Sequence, residues 1–71
     1  MQYLVILEEG LESWGAYVPD LPGCVAAGET REEALELIQE AIEFHLDGMK
    51  EYGDPVPEPH SHSVVVEVNA A

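Results

Sequence analysis

The sequence predicts an α+β domain, a four-stranded sheet with one helix packed on one face. Three short apolar runs bounded by turn residues come first, a long stretch of helical periodicity follows, and a β-branched run comes last. With 71 residues there is room for one domain, spanning 1–71. A chain of this size buries only about 60% of its unfolded surface, so its core must be thin.

The first strand reads from Tyr3 to Glu8 and, after the Glu9-Gly10-Leu11-Glu12 turn region, a second reads from Ser13 to Val18, pairing antiparallel with the first. Pro19 and Pro22 fix φ and bias Val18 and Leu21 toward extended backbone, while Gly23 can take a positive φ. Cys24 to Ala27 makes a third, narrow strand that Gly28 ends. Thr30 and Glu33 form a capping box ahead of a helix expected to reach about Tyr52, where Gly53 and Asp54-Pro55 stop it. Ala34, Leu35, Ile38, Ala41, Ile42, His45, Leu46 and Met49 share one helical face, with Glu36, Glu40, Glu43 and Asp47 opposite. Pro55 to Pro59 reads as an extended connector and Ser63 to Val68 as the last strand.

The charge balance narrows the function. Fifteen acidic residues against Arg31 and Lys50 give a formal net charge of -13, which disfavours nucleic acid and anionic membrane as partners and favours a basic protein, with solubility as the simpler account of the charge. Cys24 is the single cysteine, which excludes an intrachain disulfide, and a small apolar core position suits it. The Tyr3 to Leu7 run is too short for a signal peptide or a membrane span, so a cytoplasmic protein is expected.

Period-two alternation puts Tyr3, Val5 and Leu7 on one face of the first strand and Leu4 and Ile6 on the other, so both faces are apolar. One helix covers only one of them. Self-association into a homodimer or tetramer, or a partner, is expected to cover the second, the alternative being an ordinary solvent-facing sheet on which Tyr17, Val65 and a few aliphatics are exposed.

The order of elements and the residues that carry it resemble the HicB-type antitoxins of bacterial and archaeal toxin-antitoxin pairs. Gly15-Ala-Tyr-Val18, Pro19-Asp-Leu-Pro-Gly-Cys24, Gly28-Glu-Thr-Arg-Glu-Glu-Ala34, the helix and Pro55-Val-Pro-Glu-Pro59 follow that family's pattern in type and spacing. The resemblance implies a partial ribonuclease-H-like fold of order β-β-β-α-β, with one mixed sheet whose fourth strand runs parallel to the first. It also implies a non-catalytic role: binding and silencing a small basic HicA-type ribonuclease that cleaves messenger RNA. Longer members carry a DNA-binding domain after the last strand. This sequence has none before Ala71, so no direct DNA binding is expected of it.

The residues themselves suggest where such a partner would sit. Glu32, Glu36, Glu40, Glu43 and Asp47 include like-charge pairs at i, i+4, each destabilising an isolated helix by about 0.2 to 0.5 kcal/mol, and a basic partner would relieve them. A solvated face is the simpler account of any one glutamate. Trp14, Tyr17 and Leu21 are candidate anchors, with core or turn packing as their alternative role, and Asp20 suits the organisation of its turn. The partner-binding set is thus Trp14, Tyr17, Asp20, Leu21, Glu36, Glu40 and Glu43.

An enzyme is the rival class. Its best constellation is His45, His60 and His62 with Glu58 or Asp54, which could ligate a divalent metal, but His45 lies on the apolar helix face. A degraded metal-dependent nuclease would need carboxylates such as Glu8, Asp20 and Glu67 to converge, and no motif brings them together. Ser13, Ser61 and Ser63 lack a nucleophile elbow, and no glycine-rich phosphate loop precedes the helix. The expectation is therefore no catalytic residue, no metal and no cofactor, with a solitary self-associating module as the other alternative.

Overall fold

The computed structural model describes residues 1–70. Strands β1 (Ile6–Glu9), β2 (Trp14–Tyr17) and β3 (Val25–Gly28) form an antiparallel sheet in the order β1-β2-β3, and helix α1 (Arg31–Glu51) follows them.

The opening hairpin turns where Gly10 N–H donates to the Ser13 carbonyl at 2.8 Å, setting Leu7 opposite Ala16 and Ile6 opposite Tyr17. β1 starts later than the apolar pattern suggests. In this register Leu4 would face Pro19, which has no N–H to give the ladder, so Tyr3 to Val5 lie beyond the paired stretch.

The double-proline segment makes two successive turns. Leu21 N–H donates to Val18 and Cys24 N–H to Leu21, at 3.1 and 3.0 Å, and Gly23 takes φ +83° to close the second. The fold returns the chain into β3 with Tyr17 opposite Val25 and drives the Leu21 side chain into the core, where it is fully enclosed. At the end of β3, Gly28 passes so close to the helix that a Cβ there would lie 2.7 Å from the Ala34 amide nitrogen. Gly28 is therefore the residue that lets the sheet meet the helix start.

Both helix ends are capped as their residues suggest. Thr30 Oγ1 accepts from the Glu33 amide at 3.1 Å, and the Glu33 carboxylate reaches back to the Glu29 amide at 3.2 Å, one residue before the amide that a standard capping box serves. At the other end Gly53, with φ +71°, donates to Lys50 and Asp54 donates to Met49 at 2.8 Å, a Schellman closure after the Tyr52 cap. Ala34 and Ile38 are buried against Ala16, Val18, Leu21 and Cys24, while Leu35, Ala41, Ile42 and Leu46 extend the contact as half-buried neighbours. The thiol of Cys24 sits in this core, and burial raises its pKa.

One expected element is absent from the sheet. The described residues form three strands, not four, because Ser63 to Val68 adopts no regular structure and pairs with no backbone. Its valines are exposed, Val65 at 96%. β-propensity expresses packing against cross-strand neighbours, and within this chain the segment has none. The segment before it is tied down: the Tyr3 hydroxyl donates to the Pro57 carbonyl, and the turn at Asp20 holds residues 60 and 61.

Candidate functional site

The most strongly bonded polar side chain among the described residues is the carboxylate of Asp20. It is almost wholly enclosed, and it accepts from the His60 amide and the Ser61 amide, both at 2.9 Å, and from the Ser61 hydroxyl at 2.6 Å. The exposed His60 ring adds Nδ1 at 3.1 Å. The Ser61 hydroxyl is the chief influence that lowers the Asp20 pKa to about 2; the two backbone amides and the His60 ring act with it, against burial, which raises it. This carboxylate is committed to tying the proline turn to the chain that follows the helix. Neither it nor the enclosed Leu21 offers surface that a partner could touch. The same neighbourhood acts on Tyr3, whose phenol is pushed up by burial and by the nearby Glu58 and Asp20 carboxylates.

The remaining candidates lie on two surfaces. On the outer side of α1, Glu36, Glu40, Glu43 and Asp47 are unpaired with any cation among the described residues, and all four are exposed. Beside this row stands Phe44, 83% exposed, one turn beyond Glu40 and two turns beyond Leu37, which is also exposed. Sequence reasoning passed over Phe44. Its signal was legible, since it is the one aromatic residue between Arg31 and Glu51 and falls outside the apolar stripe.

The second surface is the sheet face that α1 leaves uncovered. The register sets Ile6, Tyr17 and Val25 in one row across all three strands, with Tyr17 39% and Val25 66% exposed. Trp14 is on β2 but turned the other way, half-buried against the core, so it is a packing residue with a partly open edge. The two candidate aromatic anchors therefore point to opposite sides of the sheet.

The rival constellation is not assembled. His45 lies on α1, while His60 and His62 sit beyond the far end of the connector, and among the described residues no group of three His, Cys, Asp or Glu side chains could hold a metal ion. A shallow cleft runs between the N-terminal residues Gln2, Tyr3 and Leu4 and the segment Pro59 to Ser63. Among the described residues no helix is long and apolar enough to cross a membrane.

Comparison with known proteins places this arrangement. Residues 3–70 match the family model described as HicB_like antitoxin of bacterial toxin-antitoxin system. The chain is 40% identical over 57 residues to a 14.9 kDa protein from the rep-hol intergenic region of Haemophilus phage HP1, a match covering 80% of this chain and 43% of that protein. It is 35% identical over 72 residues to Antitoxin HicB 2 of Photorhabdus laumondii, covering all of this chain and 52% of the antitoxin. The chain thus spans about half the length of these two relatives. Among solved structures, a chain of the HicA3 and HicB3 toxin-antitoxin complex superposes with a TM-score of 0.71 and 28% identity, covering 84% of this chain and 70% of that one. The chain belongs to the HicB-like antitoxin family of bacterial toxin-antitoxin systems.

Proposed function

We propose that this domain is a non-catalytic cytoplasmic antitoxin that binds a small basic HicA-type toxin and stops it from cleaving messenger RNA. The observation that carries the reading is the structural likeness to a chain from the HicA3 and HicB3 complex, extending over most of both chains. The charge supports it: a chain of net charge -13 presents an unpaired row of carboxylates on α1, suited to occupying a cationic groove that otherwise holds RNA phosphates. The contact surface we assign is Glu36, Glu40 and Glu43 with Phe44 as its apolar anchor; Tyr17, on the sheet face turned away from α1, marks the alternative surface, and Trp14 supports the fold from the core side. Asp20 and Leu21 serve it from inside, by shaping the turn between β2 and β3. The partial ribonuclease-H-like architecture belongs to the same proposal, with the three strands and α1 forming all but its last strand.

The test is direct. Purified chain mixed with a HicA-type toxin should form a complex and suppress cleavage of an RNA substrate in stoichiometric fashion. Full cleavage in the presence of excess chain, with no complex formed, would defeat the reading.

A further inference from the structure

Beyond toxin binding, we infer that Ser63 to Val68 is a strand donated to a second copy of this chain, where it adds to the free edge of β1, and that the two copies exchange these strands reciprocally.

The donor is a strand without a sheet. Val64, Val65, Val66 and Val68 are β-branched and exposed by 69 to 96%, and among the described residues the segment makes no backbone hydrogen bond. Beyond Ser63, which lines the cleft beside Gln2 to Leu4, the valines are exposed, and the chain as a whole is drawn out. The radius of gyration is 14.2 Å, against roughly 11 Å for a compact domain of this length, and the longest dimension is 51 Å, well beyond the roughly 32 Å of α1 itself.

The acceptor is on the same chain. β1 is an outer strand, and Tyr3 to Val5 ahead of it are in no ladder: Pro19 ends the pairing on the β2 side, and on the other side Pro59 to Ser63 lies across a cleft from Gln2 to Leu4. From Val5 to Glu9, clear of the chain's own Pro59 to Ser63 segment that flanks Gln2 to Leu4, this edge is about 17 Å long at strand spacing, enough for a donated strand of five residues. An unprotected edge and an exposed β-branched segment on one small chain are each an aggregation hazard, and one closed exchange removes both.

Charge selects the occupant. Between Ser63 and Val68 only Glu67 is charged, so the segment has little to offer a basic partner, whereas the apolar residues Val5 to Leu7 of a second copy match it. The Asp20 bonds to residues 60 and 61 fix where the donated strand leaves its own domain, so the exchange needs no rearrangement of the core.

The experiment compares the full chain with its Val65→Pro/Val66→Pro variant by sedimentation and by amide hydrogen exchange. Neighbouring strand residues direct their amides to opposite sides, so the paired substitution removes a ladder donor in either orientation. Expected for the unsubstituted chain is a dimer at micromolar concentration, with amides 64–68 protected more strongly as concentration rises. The variant should keep its helical circular dichroism and sediment as a monomer. A monomeric unsubstituted chain, with or without protected tail amides, would overturn the inference, as would a dimer that survives the paired proline substitution.

Discussion

The hydroxyl of Ser61 lies 2.6 Å from the Asp20 carboxylate although 41 residues of chain separate them. That bond, with the amides of His60 and Ser61, converts the proline turn from a loop between two strands into the anchor for everything that follows the helix. A buried carboxylate that meets three donors is stable there only while all three remain, because each unmet donor or acceptor carries its own desolvation cost.

The anchor should be visible in the acid limb of stability. With a folded pKa of about 2 against an ordinary 3.8, the ionised carboxylate contributes fully above about pH 4, and that contribution is lost as pH falls through the folded value. Asp20→Asn turns an amide NH2 toward backbone donors, so it should lower stability at neutral pH and flatten the response between pH 4 and 2. Urea unfolding as a function of pH reads both. A variant with an unchanged acid limb would show that Asp20 does not anchor the tail.

Gly28→Ala should be destabilising although alanine suits strands and helices better than glycine does. Its methyl group would meet the Ala34 nitrogen at 2.7 Å and the Glu33 Cγ at 3.0 Å, and the backbone atom cannot move without disturbing the helix cap. The expected loss is about 1 to 3 kcal/mol by overpacking, read from the urea midpoint at constant slope. By contrast Gly15, where an added methyl would find nothing within 4 Å, should tolerate the same change nearly without cost.

Where local chemistry decides a structure, the sequence was enough. Thr30, Glu33, Gly53 and the spacing of Ala34, Ile38 and Ala41 each carry their own instruction, and the helix starts and stops where they place it. Where packing against distant chain decides, it was not. The valines after Ser63 read as a strand because their type favours pleated packing, but pattern alone does not say against what they pack, and within the chain it is nothing. The same limit separated Leu21 from Tyr17: both looked like anchors in a proline-rich stretch, and only the turn geometry shows one enclosed and the other open. The link from Asp20 to residues 60 and 61 spans too much chain for any local rule to reach.

Histidine chemistry should contribute little. His60 serves Asp20 mainly through its backbone amide and its ring is 75% exposed, so His60→Ala/His62→Ala should leave thermal stability nearly unchanged. Zinc, manganese or magnesium should not raise the melting temperature, because linkage requires a site that only the native state offers. A metal-dependent rise abolished by the paired substitution would restore the metalloenzyme reading.

Toxin binding should separate into a rate that depends on charge and a lifetime that depends on one ring. The exposed carboxylates act at a distance, so reversing Glu36, Glu40 and Glu43 to lysine should chiefly slow association, and salt should do the same to the unsubstituted chain as screening shortens to about 8 Å at 0.15 M. Phe44 acts only on contact. Being 83% exposed in the free chain, it contributes little to the core, so Phe44→Ala should leave folding intact while shortening the complex lifetime. If the ring is buried at the centre of the interface, the expected cost is about 2 kcal/mol or more, a factor of roughly 30 in dissociation rate. Trp14→Ala is the necessary contrast: its ring packs on the core, so any loss of binding should come with a loss of stability. Surface plasmon resonance with each variant distinguishes these outcomes. An unchanged dissociation rate for Phe44→Ala would move the contact off this helix face and toward the row of Ile6, Tyr17 and Val25 on the open side of the sheet.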